Sequence, residues 1–220
     1  MQAARGTPLT TTRGTSHPED RLIDRHRRLG LFVAVAVVAY AADVVTKIVA
    51  VAEFEGPPVK TVEVIPNVLD LTLVRNSGAA FGIATGYTAV LTVIAIGVCV
   101  VVIRIARSLR NTVWAVALGL LLGGALGNLT DRMARSPGPL EGHVVDFLQL
   151  PNWPVFNLAD CCVCVAAALI AFQSFRGIRP DGTHVEGGDA AQKAESETEP
   201  AAESTAETKD ADNDENVGGE

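Results

Sequence analysis

The 220-residue chain has 18 basic and 25 acidic side chains, a formal net charge of −7, and 48% hydrophobic residues. The acids crowd into the C-terminal tail and the basic residues lie mostly beside apolar runs, so the charge pattern excludes a basic surface for nucleic acid. Because both ends are polar, the middle must be far more apolar than the average, which predicts a membrane protein. The four cysteines lack the spacing of a zinc site and are interpreted as small apolar side chains.

The N-terminal extension, residues 1–28, is rich in polar and turn-forming residues near its start, and we expect it to be disordered and cytoplasmic. It abuts an apolar run at about 29–52, long enough for a first transmembrane helix, since a span needs about 20 residues. A cleavable signal peptide is the alternative, because Ala-Tyr-Ala at 39–41 fits a small-residue cleavage box. Against it, the apolar pattern continues beyond that box, and Asp43 and Lys47 lie four apart on one helical face, where the acid can neutralise the base.

A segment of turn residues and short β-prone pieces follows, at 53–86. Within it, residues 59–65 and 69–74 alternate apolar and polar side chains on either side of a Pro-Asn turn. This pattern predicts two short strands in an otherwise helical protein. The small residues at 77–82 would allow a close approach of the backbone to a ligand or helix, although a structural turn is the simpler interpretation.

Three further apolar runs, at about 87–105, 111–129 and 156–175, bring the count of predicted spans to four. The residues after them, 176–220, form an acidic, Ala-rich tail of low complexity that we expect to be disordered and cytoplasmic. The sequence therefore predicts an all-α polytopic membrane protein. Its membrane domain would cover 29–175, with a small β-rich segment on the outer side and disordered termini.

Arginines flank the predicted spans at 104–110 and 176–179. Because basic residues beside helices stay cytoplasmic, we expect both termini and the loop after the second span to lie inside, with 53–86 and 130–155 outside. The first and third spans then run outward and the fourth runs inward. This topology places the unusual polar residues of the chain at one level, near the outer face of the membrane.

Asp146 and Asp160 are carboxylates set among residues that would otherwise suit a bilayer. A charge at membrane depth costs roughly 2.5 to 3.5 kcal/mol on insertion scales, so an intramembrane Asp is a functional-site hypothesis by default. No base lies near either of them in sequence. Two close carboxylates that share one proton can supply both the base and the acid that peptide hydrolysis needs. We therefore predict that these two residues form a catalytic pair.

The other polar residues at this level have a structural interpretation. We expect Asp43 with Lys47, and Asp131 with Arg132, to act as interfacial caps and salt bridges.

Two other functional classes stay open at this point. A metal-dependent protease could use His143 with the two acids, but the His-Glu-x-x-His motif is absent and a metal ion usually needs more ligands than these. A transporter or channel could use the polar residues as an ion relay, but transporter sites usually lie at the midplane of folds with internal repeats, and the sequence has no repeat. We expect neither a metal nor another cofactor.

Five motifs resemble those of the lipoprotein signal peptidases (signal peptidase II), in the same order. They are Asp43-Val-Val-Thr-Lys47, Arg75-Asn76-Ser-Gly-Ala-Ala-Phe81, Gly123-Gly-Ala-Leu-Gly-Asn128-Leu-Thr-Asp131-Arg132, Val144-Val-Asp146-Phe147 and Phe156-Asn157-Leu-Ala-Asp160. The resemblance covers roughly 29–175. It implies an intramembrane aspartic endopeptidase that removes the signal peptide from diacylglyceryl-modified prolipoproteins by cutting before the lipidated cysteine.

The resemblance also implies roles for individual residues. Asp146 and Asp160 match the catalytic pair, beneath the β-rich segment and a loop on the outer side. The residues that match substrate-binding or supporting positions are Asn76, Asn128, Arg132 and Asn157, and the structural polar positions are Asp43, Lys47 and Asp131. The expected partners are lipidated prolipoproteins and membrane lipid, without nucleic acid, for a monomer in a bacterial cytoplasmic membrane.

Overall fold

The computed structural model describes residues 18–58, 60–78 and 88–184, with side chains from residue 26 onward. Within this part of the chain there are four helices, and each contains a stretch long and apolar enough to cross a membrane. They are α1 (Pro18–Phe54), α2 (Thr88–Ala106), α3 (Thr112–Ala134) and α4 (Leu158–Phe175). The four predicted spans are confirmed.

Three short strands form an antiparallel sheet in the order β1-β2-β3. They are β1 (Val62–Ile65), β2 (Leu69–Asn76) and β3 (Val144–Gln149). The first two strands were predicted, but β3 was not, because residues 130–155 were interpreted as an outer loop. The sequence Val-Val-Asp-Phe-Leu-Gln of β3 is rich in β-branched and apolar residues, and its first four residues are buried.

Helix α3 lies at the centre of the bundle, where it contacts α1, α2 and α4. Glycines of α3 allow this close packing. A Cβ atom would lie 2.8 Å from the carbonyl oxygen of Phe32 if it were added at Gly119, and 2.6 Å from that of Ala159 if it were added at Gly124. Close backbone approach of this kind is how helices associate in lipid, where the surrounding solvent is as apolar as the side chains. The glycines of α3 therefore let this helix pack tightly against α1 and α4.

The outward faces of the helices are apolar. The large hydrophobic side chains that are at least half exposed on the helices include Val37, Val38, Val45, Ile48, Val93, Ile94, Val101, Val165 and Phe172. Such faces suit lipid, which removes the need for polar residues on the surface of a spanning helix. The buried side chains of this protein therefore lie between the helices and in the polar site at one end of the bundle.

The compact unit extends beyond the boundaries that the sequence predicted. Helix α1 begins at Pro18, inside the extension that we expected to be disordered. At the other end, residues 176–183, which we assigned to the tail, pack against the α2–α3 connection, and the compact unit ends at Thr183. The remaining parts of the two predicted disordered segments, 1–17 and 185–220, lie outside the described residues, as does 79–87.

Three hydrogen bonds hold the segment after α4 in place. The Trp114 indole N–H donates to the carbonyl of Ile178 at 2.9 Å, and the backbone N–H groups of Arg110 and Asn111 both donate to the carbonyl of Pro180, at 3.0 and 3.3 Å. Trp114 and Ile178 are both buried. This segment therefore joins the end of α4 to the beginning of α3.

Ending the chain after Phe175 should destabilise the protein, whereas ending it after Thr183 should not. The shorter chain loses the three hydrogen bonds, each worth about 1 kcal/mol, and uncovers Trp114. The measurement is the thermal midpoint of the two truncated proteins and the full chain in the same detergent. Equal midpoints for the two truncations would show that residues 176–183 do not stabilise the bundle.

Candidate active site

The two predicted catalytic acids line one cavity of about 250 Å³. Asp146 lies in β3 and is 2% exposed, whereas Asp160 lies in the first turn of α4 and is half-buried. The other residues that line the cavity are Asn76, Gly78, Asn128, Arg132, Val144, Trp153, Pro154, Val155 and Phe156. All four residues predicted to bind or support substrate thus surround the acids, with Asn157 beneath the cavity rather than in its wall.

The chain returns from β3 to α4 in a way that puts the two acids together. The N–H of Leu148 donates to the carbonyl of Phe156 at 2.8 Å, and the N–H of Phe156 donates back to the carbonyl of Leu148 at 2.9 Å. This bridge sets the beginning of α4 against β3. Asn157, the next residue, is therefore within reach of Asp146.

Asn157 connects the two acids directly. As the N-cap of α4, its side-chain oxygen accepts from the N–H of Asp160 at 3.0 Å, and its own N–H donates to Asp160 Oδ2 at 3.1 Å. This is a capping box, in which two otherwise unpaired N–H groups at the helix start are satisfied. The Asn157 side-chain nitrogen also donates to Asp146 Oδ1 at 2.6 Å. One residue therefore begins the helix and fixes both carboxyl groups.

Asn76 holds the second oxygen of Asp146. Its amide nitrogen donates to Asp146 Oδ2 at 2.8 Å, while its oxygen accepts from the N–H of Gly78 at 2.9 Å. The register of the sheet explains the contact, because β2 pairs Val74 with Asp146 and Asn76 with Val144. Each oxygen of Asp146 thus accepts one amide N–H group, and the turn after β2 fixes which way the Asn76 amide faces.

Asn128 plays the matching part for Asp160. Its amide nitrogen donates to Asp160 Oδ1 at 2.9 Å. Its oxygen accepts from Lys47 Nζ at 2.8 Å and from the Asn157 amide at 3.1 Å. Because an amide oxygen can only accept, these two donors require that the nitrogen of Asn128 face the carboxylate.

Lys47 lies at the centre of a buried ion cluster. It is 1% exposed, and its ammonium group is 2.8 Å from Asp43 Oδ2 and 3.0 Å from Asp131 Oδ2. The predicted pairing of Lys47 with Asp43 is confirmed. A buried ammonium needs partners for its protons, and Asn128 accepts a further one. The cluster therefore connects α1 to α3 and holds the Asn128 amide that faces Asp160.

The predicted pairing of Asp131 with Arg132 is wrong. Asp131 forms its ion pairs with Lys47 and with Arg135, and its Oδ2 also accepts from the N–H of Val145 at 3.1 Å. Residues next to each other in a helix point in different directions, whereas residues four apart share a face. The spacing of Asp131 and Arg135 would have identified the pair. Through Val145, this acid also holds the strand that carries Asp146.

Arg132 is directed to the acids instead. It lines the cavity, and its charge is attracted by Asp160 and Asp146. Its Nε is buried and, within the described part of the chain, has no hydrogen-bond partner. A guanidinium carries five N–H donors in a planar fork, so this one can donate to a group that enters the cavity.

Asp43 completes the support of the site. Its Oδ1 accepts from the N–H of Ala159 at 2.9 Å, in the first turn of α4. A negative charge at a helix N-terminus is stabilised by the helix dipole and by the free N–H groups there. Gly127 makes room for this carboxylate, because a Cβ at that position would come within 2.9 Å of Asp43 Cγ.

Burial raises the pKa of Asp146 to about 6, and the charge of Asp160 acts in the same direction. The hydrogen bonds from Asn76 and Asn157 act in the opposite direction, since they stabilise the carboxylate. This carboxyl group can therefore hold a proton at a pH where an ordinary Asp is ionised. One protonated acid beside one ionised acid is the arrangement that acid–base hydrolysis requires.

The metal-dependent alternative would need His143 close to the two acids. His143, which a metal-dependent protease would use, is not among the residues that line the cavity. Within the described ranges, no group of three His, Cys, Asp or Glu side chains could hold a metal ion.

Trp153 was not predicted to belong to the site, but it lines the cavity with 61% of its surface exposed.

Comparison with known proteins decides the family. The family model described as signal peptidase (SPase) II matches residues 35–176. The chain belongs to the signal peptidase II family. This membership confirms the enzyme class that the motifs predicted, an aspartic peptidase, and with the four spanning helices it makes the chain a multi-pass membrane protein.

Several lipoprotein signal peptidases are similar to this chain. The protein from Rhodococcus jostii is 49% identical over 77% of this chain and 83% of its own length. The protein from Mycobacterium tuberculosis is 53% identical over 69% of this chain and 74% of its own length. Among solved structures, a bacterial membrane enzyme at 2.3 Å resolution has 32% identity and a TM-score of 0.59, over 66% of this chain and 88% of that one. The fold of this chain is thus shared with an experimental structure of a bacterial membrane enzyme.

Replacing Gly127 with alanine should lower the catalytic efficiency without unfolding the protein. The added methyl group displaces the Asp43 carboxylate, which holds Lys47 and the N-terminus of α4, and a shift of about 1 Å at a site can cost on the order of 100-fold in rate. The measurement is kcat/KM for cleavage of a lipidated precursor peptide.

Gly97→Ala is the matched control, because a Cβ at that position meets nothing within 4 Å. It should retain the activity of the unchanged protein. Equal activity of the two alanine variants would show that the position of Asp43 is irrelevant to the site.

Proposed function

We propose that this protein removes the signal peptide from diacylglyceryl-modified prolipoproteins, cleaving before the lipidated cysteine, with Asp146 and Asp160 as its catalytic pair. The observation that carries the proposal is that both carboxyl groups line one cavity and are connected beneath it by Asn157. Similar proteins named lipoprotein signal peptidase support the substrate class.

In the proposed reaction, a water molecule lies between the two acids. Asp160, ionised, takes a proton from the water, whose oxygen attacks the carbonyl carbon of the scissile bond. Asp146, protonated, donates its proton to the carbonyl oxygen. When the C–N bond breaks, the leaving amine takes from Asp160 the proton that came from the water. As the C=O bond re-forms, one hydroxyl of the tetrahedral intermediate gives its proton to Asp146, so each acid returns to its first state. The raised pKa of Asp146 supports this assignment of roles.

The neighbouring amides hold the acids in place for this reaction. Asn76, Asn157 and Asn128 donate to three of the four carboxyl oxygens, and the backbone N–H of Asn157 donates to the fourth. Amide donors orient a carboxyl group without taking up or releasing protons themselves. We propose that Arg132 holds the substrate, with its fork of donors directed to carbonyl oxygens beside the scissile bond.

We further propose that the enzyme acts as a monomer among membrane lipids. A single chain supplies every contact of the site described above. The acidic residues beyond 184 would form a tail that takes no part in the reaction, because the sequence there has no apolar face.

Both termini should be cytoplasmic and the site should face the outside of the cell. The support is the excess of arginine at one end of the bundle, where the connection between α2 and α3 meets the segment after α4. The test uses a variant in which the cysteines at 99, 161, 162 and 164 are replaced by alanine. An impermeant thiol reagent added to whole cells should label Pro137→Cys but not Arg107→Cys. Labelling of Arg107→Cys but not of Pro137→Cys would show that the protein has the opposite orientation in the membrane.

Asp146→Asn and Asp160→Asn should each lower kcat by at least roughly 100-fold, because asparagine keeps the size of the side chain but cannot transfer a proton at working pH. The two losses should not add in the double variant, since the acids act as one unit. The measurement is cleavage of a lipidated precursor by purified protein, with and without a chelator, which should have no effect.

Asp70→Asn is the control for these variants, because Asp70 lies in the same sheet but outside the cavity. It should cleave at the unchanged rate. Substantial turnover by the Asp146 or the Asp160 variant would remove that residue from the proposed mechanism. If the chelator abolished the activity of the unchanged protein and added zinc restored it, the enzyme would belong to the metal-dependent class.

The pH profile should report the proton on Asp146. If Asp146 acts as the acid, kcat/KM falls as pH rises through its pKa of about 6. Asn76→Ala removes a hydrogen bond that lowers this pKa, so the fall should move to higher pH in that variant. The measurement is kcat/KM across the pH range in one detergent. A shift to lower pH, or no shift, would contradict the assignment of the proton to Asp146.

A further inference from the structure

A second cleft lies at the end of the bundle remote from the acids, where α2 ends and α3 begins. Its volume is about 400 Å³, and it is lined by Arg107, Ser108, Arg110, Asp181 and Thr183. Neither the catalytic pair nor its supporting residues contribute to it. The cleft is therefore separate from the proposed peptidase site.

The walls of this cleft are held in a defined arrangement. The carbonyl of Pro180 accepts from the N–H groups of Arg110 and Asn111, which fixes the segment after α4 against the α2–α3 connection. On the far wall, Asp181 Oδ1 accepts from the Thr183 N–H at 2.9 Å and from its hydroxyl at 2.7 Å. The two arginines thus project from an ordered frame and not from a loose loop.

The charge of the cleft is positive. Arg107 and Arg110 outnumber the one acid in the lining, and Arg179 also lies close enough to act on Asp181. The hydrogen bonds from Thr183 lower the pKa of Asp181, and the charges of Arg179 and Arg110 act in the same direction. The carboxylate therefore stays ionised and orders the turn, and the lining carries two arginines beside this one acid.

The cleft also lies at the level where a membrane would present its headgroups. Phe172 and Phe175, at the end of α4, are 53% and 92% exposed, and Ile103 near the end of α2 is 46% exposed. The guanidinium of Arg176 lies 5.5 Å from the centre of the Phe172 ring. Exposed apolar side chains followed by arginines at a helix end are typical of the place where lipid tails give way to headgroups, because the arginines extend into the interface.

We propose that this cleft binds the phosphodiester headgroup of an anionic phospholipid. Guanidinium groups match the geometry of phosphate oxygens, and basic pockets at the ends of spanning helices are suited to lipid headgroups. The exposed apolar side chains of α2 and α4 would contact the acyl chains of the same lipid. A soluble phosphate has the same charged group but lacks those chains.

The test is lipid binding by the full-length protein in a neutral detergent, followed by native mass spectrometry. The probes are short-chain phosphatidylglycerol, phosphatidylcholine with the same chains, and inorganic phosphate. We expect phosphatidylglycerol to bind most tightly. Arg107→Gln and Arg110→Gln should each weaken its binding by about fivefold, the contribution of one basic residue near an anionic surface.

Arg27→Gln is the matched control, because Arg27 is an exposed arginine of α1 that does not line the cleft. It should bind phosphatidylglycerol as the unchanged protein does. Thermal midpoints show whether each variant is folded, and Arg107→Lys should keep part of the affinity.

Three results would overturn the proposal. Equal loss in the Arg27 variant would show that only the total charge matters. Equal binding of phosphatidylcholine would show that the headgroup charge is not recognised. Inorganic phosphate that binds as tightly as the lipid would make the cleft a site for a soluble anion. Peptidase activity is not needed for any of these measurements, so their outcome is independent of the proposed function.

Discussion

The buried ammonium group of Lys47 is the interaction on which the site depends. A charge taken out of water costs several kcal/mol unless it is paired and hydrogen-bonded, and Lys47 meets that condition with two carboxylates and one amide oxygen. Each of these partners has a second task. Asp43 accepts from the first turn of α4, Asp131 accepts from the strand that carries Asp146, and Asn128 donates to Asp160. Loss of the ammonium would therefore leave Asp43 without a counter-charge, Asp131 with Arg135 alone, and the Asn128 oxygen with one donor instead of two.

The three-stranded sheet and the helical bundle are joined where chemistry is proposed to occur. Asp146 comes from the sheet and Asp160 from a helix, so their relative position depends on how the two parts meet. Two backbone hydrogen bonds between Leu148 and Phe156 and the side chain of Asn157 make that connection. A catalytic pair assembled from two kinds of element in this way is sensitive to small movements of either one, which explains why so much polar structure lies beneath it.

Hydropathy and motif order were enough to predict the four spans and the family, because a span needs a long apolar run. They also selected two acids that line one cavity in the structure, because a charge beside an apolar run is conspicuous. The third strand was missed because its first four residues are buried on both faces, so apolar and polar side chains do not alternate along it. The partner of Asp131 was missed because Arg132 is its neighbour in sequence, whereas Arg135 is its neighbour on the helix. The end of α4 was predicted correctly, but the end of the compact unit was placed too early, because residues 176–183 are stabilised by contacts with Trp114 and the α2–α3 connection, which no local pattern reveals.

The capping box at the beginning of α4 restricts which amino acids could stand at position 157. Serine, threonine and aspartate also begin helices well, since each offers an oxygen to the free N–H groups. None of them has a nitrogen that could reach Asp146 and Asn128 at the same time. Glutamine has the nitrogen, but its longer side chain would place the oxygen one methylene away from the helix start. Asparagine is thus the one standard side chain that meets both demands, and an inhibitor that depends on this contact would leave the enzyme no simple route to resistance there.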